Sequence, residues 1–545
     1  MSAVADIDSS AFELVDDKPF FAPASSDLLD GLLGQYKLMR QRIEQVAGIF
    51  EGDLGGVVHY FIEGNRSGDG SRYSSITAEK IFKADGAIAA LNATYWSKAL
   101  ALTDVLDCMP QKRRDEWHTQ IREFKAPEFN EETVRPTIRD LLLSREKFFA
   151  ERIDGIFRGL SSAHVTNVPE GFSKRMIISH VLTSYDTIEH SRAGLINDLR
   201  CVIARFMGRE EPGYGLTDPV IKTARRRRGK WIAIDGGMLR LKVFKIGTAH
   251  LEVHPEMAWR LNQVLASLYP LAIPAQFRAA PKKAAKQFEL MGRPLPFVVL
   301  RLLQSMRVVR ERVGGPNAWP ERYVEIPNAR HFAIGDYDKA VRREAEGVLT
   351  AIGGVPVKHY IQFDYDPDDV IDEIVASGCI PHQKAHQFYP TPESLARRVL
   401  EAAEIGDADT VLEPSAGNGD LAAELPKDRT TCVEVSALRC SVLKARGFTA
   451  VQADFLDWSF DRMCSGKRFD RVVMNPPFSE GRAVDHLLAA STLVEPGGRL
   501  VAILPASMRG KEPLHDFTHE WSPIYSGEFV GTGVAVAILT AIRPA

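Results

Sequence analysis

Apolar residues along the first half of the chain recur mostly at helical spacing. They lie three and four positions apart in Ile88–Leu106 and in Val134–Ile156, which predicts amphipathic helices in both stretches. Asn130, which is followed by two glutamates, has the sequence of a helix start. The first 70 residues contain one predicted helix, near residues 28–47, among clusters of Asp, Ser and Gly.

The pattern changes to alternation between residues 231 and 253. Short apolar stretches are separated there by turns at Asp235–Gly237 and at Gly247, which predicts a three-stranded meander. A further helix is predicted directly after it, near residues 255–268. We therefore expect residues 71–275 to form one α+β domain that is mostly helical.

The C-terminal part, residues 381–545, has a different texture. Strand, turn and helix patterns follow one another at short intervals, which is typical of a parallel α/β sheet. Residues 276–380 contain a basic stretch, several Pro and Gly breaks and an acidic segment, and we interpret them as a bridging region. The expected fold class is therefore α/β at the C-terminus, preceded by an α+β region and an N-terminal segment, 1–70.

The composition narrows the class of protein. Hydrophobic residues make up 45% of the chain and charged residues 26%, which is ordinary for a globular protein. No apolar run approaches the ~18 residues of a membrane span, and a net charge of -3 is not that of a uniformly basic coat. The six cysteines are scattered without a Cys-x-x-Cys pair, and the acidic N-terminus has no secretory pattern. These features favour a cytoplasmic protein without a metal site.

The first candidate site lies around a small, glycine-containing turn. Val411 and Leu412 suit a buried strand that runs into Glu413, and the turn that follows is formed by Pro414, Ser415, Ala416, Gly417, Asn418 and Gly419. A helix is expected to begin near Asp420. Glycines allow a close approach to a ligand at the carboxyl edge of a sheet, where open α/β folds bind cofactors. Ordinary strand-to-helix turns can have the same pattern.

Two more acids follow predicted strands. Glu434 ends the second strand, where such an acid accepts hydrogen bonds from ribose hydroxyls. Asp454 and Phe455 follow the third strand and suit a polar contact beside an apolar wall for an adenine ring. The chain has no GxxxxGK[ST] motif. We therefore expect a cofactor that carries adenosine and few or no phosphates.

The fourth predicted strand runs directly into Asn475, Pro476, Pro477 and Phe478. Two prolines lack N–H groups and fix φ, so the chain must leave the sheet in a stiff extended turn. The carbonyl of Pro476 and the side-chain oxygen of Asn475 then provide two hydrogen-bond acceptors, and Phe478 provides a flat face. This arrangement predicts a receptor for an amino group on a planar base. The alternative is a Pro-Pro strand end with an incidental Asn.

With these motifs, residues 387–545 resemble the S-adenosylmethionine-dependent adenine-N6 DNA methyltransferases of bacteria and phages, in the order of the γ type. Phe388, Tyr389, Pro390 and Thr391 resemble the leading cofactor motif, residues 413–419 the methionine-binding turn, and residues 475–478 the catalytic tetrapeptide. The resemblance implies a seven-stranded, Rossmann-like class I methyltransferase sheet. Its fifth strand is expected at Leu500–Pro505, and Glu528–Val536 is expected to open the terminal hairpin. Independently, Thr391 and Pro392 predict the cap and first residue of a helix.

The resemblance also implies an activity. A methyl group is transferred from S-adenosylmethionine to N6 of an adenine that is flipped out of DNA. Asn475 and the Pro476 carbonyl would accept hydrogen bonds from N6, and Phe478 would stack on the base. The alternatives are transfer to an RNA adenine or a protein glutamine, and a catalytically silent protein that binds DNA.

Only 67 residues follow Phe478, so base specificity is expected to come from the first 380 residues or from the short loop Ser479–Ala483, or to be minimal. The front half offers a candidate surface for DNA contacts. The run Arg225, Arg226, Arg227, Arg228 and Lys230 is the candidate surface. Such a run is also common in solvated loops. Residues 71–275 also resemble an uncharacterised domain that is found fused to adenine methyltransferases in phages and mobile elements.

Overall fold

The computed structural model describes residues 26–50, 57, 82–280, 294–313, 322–333, 335, 337–380, 389–478, 481–529 and 533–545. The chain divides into two compact units, one of residues 1–214 and 238–288 and one of residues 215–237 and 289–545. The predicted limits at residues 70, 275 and 380 do not coincide with the limits of these units. Residues 289–380 share a unit with the C-terminal sheet.

The first unit is mostly helical in its described part. Its helices are Ser26–Phe50, Ala84–Ala101, Val105–Cys108, Gln111–Arg122, Glu131–Leu143, Arg145–Arg158, His190–Phe206 and Pro255–Leu268. The side chain of Asn130 accepts a hydrogen bond from the N–H of Thr133 at 2.9 Å and caps its helix as predicted. The stretch from Val134 to Ile156 belongs to two helices, because the first helix ends at Ser144 and the second begins after it.

An antiparallel sheet completes the first unit. Ala249–Val253 is flanked by Arg175–Ile178 on one side and by Leu239–Val243 on the other. The alternation from residue 239 to residue 253 thus forms two neighbouring strands as predicted, whereas Arg175–Ile178 was not predicted. The strand Ile232–Ile234 is the first strand of the predicted meander, and its residues belong to the second unit.

The second unit contains a smaller sheet and several helices before the C-terminal sheet. The smaller sheet has the order Arg307–Val313, Arg322–His331, Tyr360–Gln362, Val355–Val357, with neighbours antiparallel. The helices of this part are Thr217–Arg226, Phe297–Gln304, Lys339–Ala351 and Asp368–Ser377. Residues 276–380, which we interpreted only as a bridge, therefore hold regular structure.

Seven strands form the C-terminal sheet. In chain order they are β1 (Val411–Pro414), β2 (Thr430–Glu434), β3 (Thr449–Gln452), β4 (Phe469–Met474), β5 (Val494–Pro505), β6 (Thr518–Trp521) and β7 (Val536–Ile542). Their order across the sheet is β3-β2-β1-β4-β5-β7-β6. The first five strands are parallel, and β7 is antiparallel to both β5 and β6. The predicted fold class, a Rossmann-like methyltransferase sheet, is confirmed.

Helices cover the sheet, and both of its faces are apolar. The helices are Glu393–Ala403, Ala437–Ala445, Phe455–Cys464 and Arg482–Ser491. Alternate residues of β5 lie in different buried clusters, with Val501 and Ile503 in one and Leu500 and Ala502 in the other. A strand that is buried on both faces belongs in the middle of such a sheet. In the described part of the chain, no helix is long and apolar enough to cross a membrane.

Local predictions at three places in this domain were wrong. No α-helix begins near Asp420: a 3-10 turn, Ala422–Glu424, ends at Leu425, which is extended because Pro426 follows it. The helix after the leading motif is preceded by Pro392 as its cap rather than by Thr391.

The third place is the terminal hairpin. It is formed by β6 and β7. The segment Glu528–Val536 follows β6 and ends on the first residue of β7 rather than opening the hairpin; its residues 530–532 lie outside the described residues.

Asn92 provides a test of the core of the first unit. Its buried side-chain oxygen accepts hydrogen bonds from the hydroxyl of Tyr36 at 2.7 Å and from the N–H of Phe129 at 3.0 Å. Asn92→Ala leaves both donors without this acceptor, and we expect it to destabilise the unit by about 3 kcal/mol. Tyr36→Phe removes one donor only and should cost about 1 kcal/mol. Hydrogen exchange of the helix Ala84–Ala101 measures both; equal exchange in Asn92→Ala and wild type would contradict the prediction.

Candidate functional site

A cavity of about 530 Å³ lies at the carboxyl ends of β1 to β4. Each of these strands contributes at or just after its last residue, with Glu413, Glu434, Asp454 and Asn475 in the lining. The strand β1 has β2 on one side and β4 on the other, so the order of the strands reverses here. Open α/β sheets bind ligands at this switch point, and the volume is within the usual range for a small-molecule site.

Most of the candidate site residues meet in this cavity. The predicted residues that line it are Tyr389, Thr391, Glu413, Ser415, Ala416, Gly417, Glu434, Asp454, Phe455, Asn475, Pro476, Pro477 and Phe478. Pro390, Pro414, Asn418 and Gly419 are described but are not part of the lining. Phe388 lies outside the described residues. The ligands that these residues contact stay a prediction.

The glycine-containing turn is shaped by left-handed backbone. Ser415, Gly417 and Gly419 have φ of 59°, 59° and 86°. A Cβ on Gly419 would lie 2.7 Å from a methyl carbon of Leu443, so glycine is required there. Ser415 is not a glycine, and left-handed backbone is uncommon for other residues. Such residues are often found at functional sites.

Glu434 holds the same turn from the end of β2. One of its carboxylate oxygens accepts a hydrogen bond from the N–H of Gly417 at 2.9 Å, and the other accepts one from the N–H of Ser436 at 2.8 Å. Glu434 as a whole is only 4% exposed. Because each carboxylate oxygen can accept two hydrogen bonds, both keep capacity for ligand hydroxyls.

The cavity is acidic at the end of β1. Burial raises the pKa of Glu413 well above its usual value, and the neighbouring carboxyls Asp420 and Glu434 raise it further. Burial also raises the pKa of Asp420, against the opposing effect of Arg446. A buried carboxyl with such a pKa favours a cation beside it, because a cation restores the ionised form.

Thr391 connects the two halves of the cavity. Its hydroxyl oxygen accepts a hydrogen bond from the side-chain nitrogen of Asn475 at 3.1 Å. Its backbone N–H lowers the pKa of Asp420, next to the glycine-containing turn, against the larger effect of burial. Because the nitrogen of the Asn475 amide is engaged, the oxygen is the atom left to accept hydrogen bonds.

His486 lines the cavity and was missed by sequence reasoning. Its Nδ1 lies 3.1 Å from the hydroxyl of Ser415, and its ring centre is 5.4 Å from that of Phe455. Burial lowers the pKa of His486 to about 4, so the imidazole is neutral at pH 7. Its Nε2 is buried and without a hydrogen-bond partner in the described structure. A single histidine in the middle of an amphipathic helix gives no signal of such a place.

Other lining residues were also missed. They come from the first turn after Gly419, from helices that follow the strands and from the segment before β7, and they include Asp420, Arg439, Arg482, Phe529 and Val534. Their places depend on tertiary contacts that no local pattern records.

Asn418 does not line the cavity; its side chain is hydrogen-bonded to another part of the same unit. Its side-chain nitrogen donates to the carbonyl of Ala351 at 2.9 Å, and its own carbonyl accepts a hydrogen bond from Arg446 at 2.6 Å. Arg446 also forms an ion pair with Asp364 at 3.2 Å. The segment 351–364 of the same unit therefore supports the glycine-containing turn from outside.

Two of the basic residues predicted to contact DNA are engaged within their unit. Arg226 forms ion pairs with Asp369 and Asp372, both at 2.9 Å. Arg227 pairs with Glu373 at 2.5 Å. These three acids all lie on the helix Asp368–Ser377. DNA contact by Arg225, Arg228 and Lys230 stays a prediction.

Among the described residues, no group of three or more His, Cys, Asp or Glu side chains is arranged to hold a metal ion. His254 and His250, which are four residues apart, have separate roles. His254 caps the helix Pro255–Leu268 by accepting a hydrogen bond from the N–H of Glu256 at 3.2 Å. His250 packs against the ring of Phe244.

The front region of the chain matches a known family of domains. Residues 88–271 match the family described as a domain of unknown function (DUF4942). This match lies within the region 71–275 that we expected to resemble an uncharacterised domain. No curated protein matches the chain.

Solved structures are similar to part of the chain only. TrmN from Thermus thermophilus is 22% identical over 27% of this chain and 48% of its own, with a TM-score of 0.23. The putative RNA methyltransferase PH1948 from Pyrococcus horikoshii is 22% identical over 29% and 88%, with a TM-score of 0.24. The N-methyltransferase NodS from Bradyrhizobium japonicum WM9, in complex with S-adenosyl-L-homocysteine, is 16% identical over 29% and 89%, also at 0.24.

The match to TrmN spans about half of that protein's length. The front region of the chain is thus similar to a domain of unknown function, and the C-terminal part has the methyltransferase fold by its own strand order.

Proposed function

We propose that the protein transfers a methyl group from S-adenosylmethionine to the N6 amino group of adenine in DNA. The observation that carries the proposal is the meeting, in one cavity, of the glycine-containing turn with the acceptors of Asn475 and Pro476. The resemblance of the Asn-Pro-Pro-Phe segment to adenine-N6 enzymes supports the choice of base. DNA is proposed over RNA on that resemblance alone.

The residues at the ends of β1 to β3 suit the cofactor. S-adenosylmethionine carries an ammonium and a sulfonium, and Glu413 and Asp420 form an acidic, largely buried wall that favours such cations. Glu434 at the end of β2 supports the proposal, because an acid at that position can accept hydrogen bonds from ribose hydroxyls. Asp454 caps the helix Phe455–Cys464 through one oxygen, at 2.9 Å from the N–H of Leu456, and its other oxygen is available for an adenine amino group.

The acceptor half of the cavity suits an amino group on a flat ring. Asn475 presents its oxygen because Thr391 engages its nitrogen. Pro476 and Pro477 keep the backbone extended, and Phe478, which is half-buried, offers a ring beside them. Two acceptors that bind both N–H groups of N6 also orient its lone pair toward the methyl donor.

S-adenosylmethionine, when bound, supplies a methyl group that its sulfonium has already activated. The protein therefore has to position and desolvate the acceptor rather than activate the donor. The target base must leave the duplex to reach a pocket of this kind. Asn475, Pro476 and Phe478 hold it, and Thr391 keeps Asn475 in the required orientation.

The direct test supplies S-adenosylmethionine labelled in its methyl group together with DNA, RNA and a protein extract. We expect label in DNA, recovered as N6-methyladenine after digestion to nucleosides. Label in RNA or protein without label in DNA would replace the proposed substrate. Binding of S-adenosylmethionine without transfer to any of the three would favour a catalytically silent protein.

Substitutions at Asn475 and Thr391 separate chemistry from cofactor binding. Asn475→Ala removes an acceptor and should lower kcat by about 10³-fold or more, while the Kd for S-adenosylmethionine stays near wild type. Thr391→Val keeps the shape but frees the amide to turn, and we expect a loss of about 10²-fold. The control is Thr492→Val, whose hydroxyl bonds only to the Ala489 carbonyl of its own helix. Wild-type kcat in Asn475→Ala would contradict the mechanism.

Glu413 should make cofactor binding dependent on pH. Because its pKa is raised in the free protein, the carboxyl is protonated at pH values where an ordinary glutamate is ionised. A bound cation favours the ionised form, so binding should release a proton, and affinity should rise as the pH rises through this range. Calorimetry in two buffers of different ionisation enthalpy measures the proton. Glu413→Gln should abolish the release; proton uptake in the wild type would oppose this role.

A further inference from the structure

The antiparallel sheet of the first unit has two different faces. Its central strand, Ala249–Val253, pairs Glu252 with Arg175 on one side and with Arg240 on the other. Two residues away on the same strand, His250 pairs with Lys242 on one side and with Ile177 on the other. Because side chains alternate along a strand, these residues all lie on one face of the sheet.

The opposite face is apolar and buried. It is made by Met176, Leu239, Leu241, Leu251 and Val253, and none of these is more than 1% exposed. Through this face, the sheet packs into the core of the unit. Packing therefore does not require cations on the other face.

Besides His250 and the buried Ile177, the described strand residues of the first face include Arg175, Arg240, Lys242 and Glu252. Glu252 is 3% exposed and accepts hydrogen bonds from Arg175 at 2.7 Å and from Arg240 at 3.2 Å. Both guanidinium groups thus bind Glu252, and the side chain of Arg175 is 48% exposed. Lys242 adds a third, half-exposed cation.

Cations of this face act on the ionisation of His250. Burial lowers the pKa of His250, and the cations Arg175 and Lys242 lower it further, with His164, whereas Glu252 opposes them. His250 is therefore held neutral beside the positive groups.

Aromatic rings stand among these charges. The ring centres of Phe244 and His250 are 4.6 Å apart, and the ammonium of Lys242 lies 5.4 Å from the centre of the Phe244 ring. Cations combined with partly exposed flat rings are what nucleic acids meet on sheet surfaces, where cations take the phosphates and rings take bases or sugars.

We propose that this surface, which we call the basic sheet face and define as Arg175, Arg240, Lys242, Phe244 and His250, binds the phosphodiester backbone of DNA. It would give the region that matches a domain of unknown function a role in holding nucleic acid. The choice of DNA over RNA rests on the proposed function, but binding to this face does not depend on methyl transfer.

Lys242 is the residue to change, because a substitution at Arg175 or Arg240 would leave the buried Glu252 with a weaker partner set. Lys242→Gln removes the charge, and Lys242→Arg keeps it. Lys98→Gln is a matched control in the same unit: Lys98 is exposed and also lies over an aromatic ring, that of Tyr95, at 4.7 Å.

The experiment measures binding of the full chain to a fluorescent DNA duplex by anisotropy over a series of NaCl concentrations, without cofactor. We expect Lys242→Gln to weaken binding several-fold and to make the slope of log K against log salt shallower by about one. Lys242→Arg and Lys98→Gln should bind as wild type does. Far-ultraviolet circular dichroism and the thermal midpoint verify that each variant is folded.

Three results would overturn the inference. They are an equal effect of Lys242→Gln and Lys98→Gln, an unchanged slope in Lys242→Gln, and displacement of DNA by polyglutamate at equal charge concentration, which would indicate an acidic protein as the partner. Failure of the proposed function has a different signature. If labelled methyl never enters DNA while DNA binding depends on Lys242, the methyl-transfer proposal fails and the basic sheet face stands.

Discussion

The hydrogen bond between the side chains of Asn475 and Thr391 orients the amide in the candidate cavity. A side-chain amide carries a donor nitrogen and an acceptor oxygen, and the bond from its nitrogen to Thr391 leaves the oxygen of Asn475 to accept from a ligand. The backbone N–H of the same threonine lowers the pKa of Asp420, beside the glycine-containing turn. Thr391, 84 positions before Asn475, is thus near both the acceptor amide and that turn. Without this bond, the proline corner would be rigid but its amide would have no fixed orientation.

The glycine-containing turn depends on residues outside the seven-stranded sheet. The side chain of Asn418 is bound to the carbonyl of Ala351, and Arg446 joins Asp364 to the carbonyl of Asn418. Left-handed backbone at Ser415 is costly and persists where the surroundings fix it. Residues 351–364 provide part of those surroundings, so the segment that sequence analysis treated as a bridge is support for the turn.

Sequence alone predicted the features that depend on local chemistry. The prolines after β4 and the acids after β1 to β3 are in the sequence itself, and they lie at one edge of the sheet because parallel strands end together. The position of His486 and the contact of Thr391 with Asn475 could not be predicted, because they arise only when distant segments pack.

The strand Arg307–Val313 escaped notice for a different reason. Most of its residues are exposed on both faces, so the strand has no apolar alternation to detect. The helix expected after Gly419 failed because Pro426, six residues beyond Asp420, forces an extended residue before it.

The most direct test of the central claim is modification-aware sequencing of DNA from cells that lack adenine methylation of their own and express this protein. The account predicts N6-methyladenine in that DNA, and none in DNA from cells that express Asn475→Ala at the same level. Unmodified DNA from cells that contain folded wild-type protein, with methylated RNA or protein in the same cells, would contradict it.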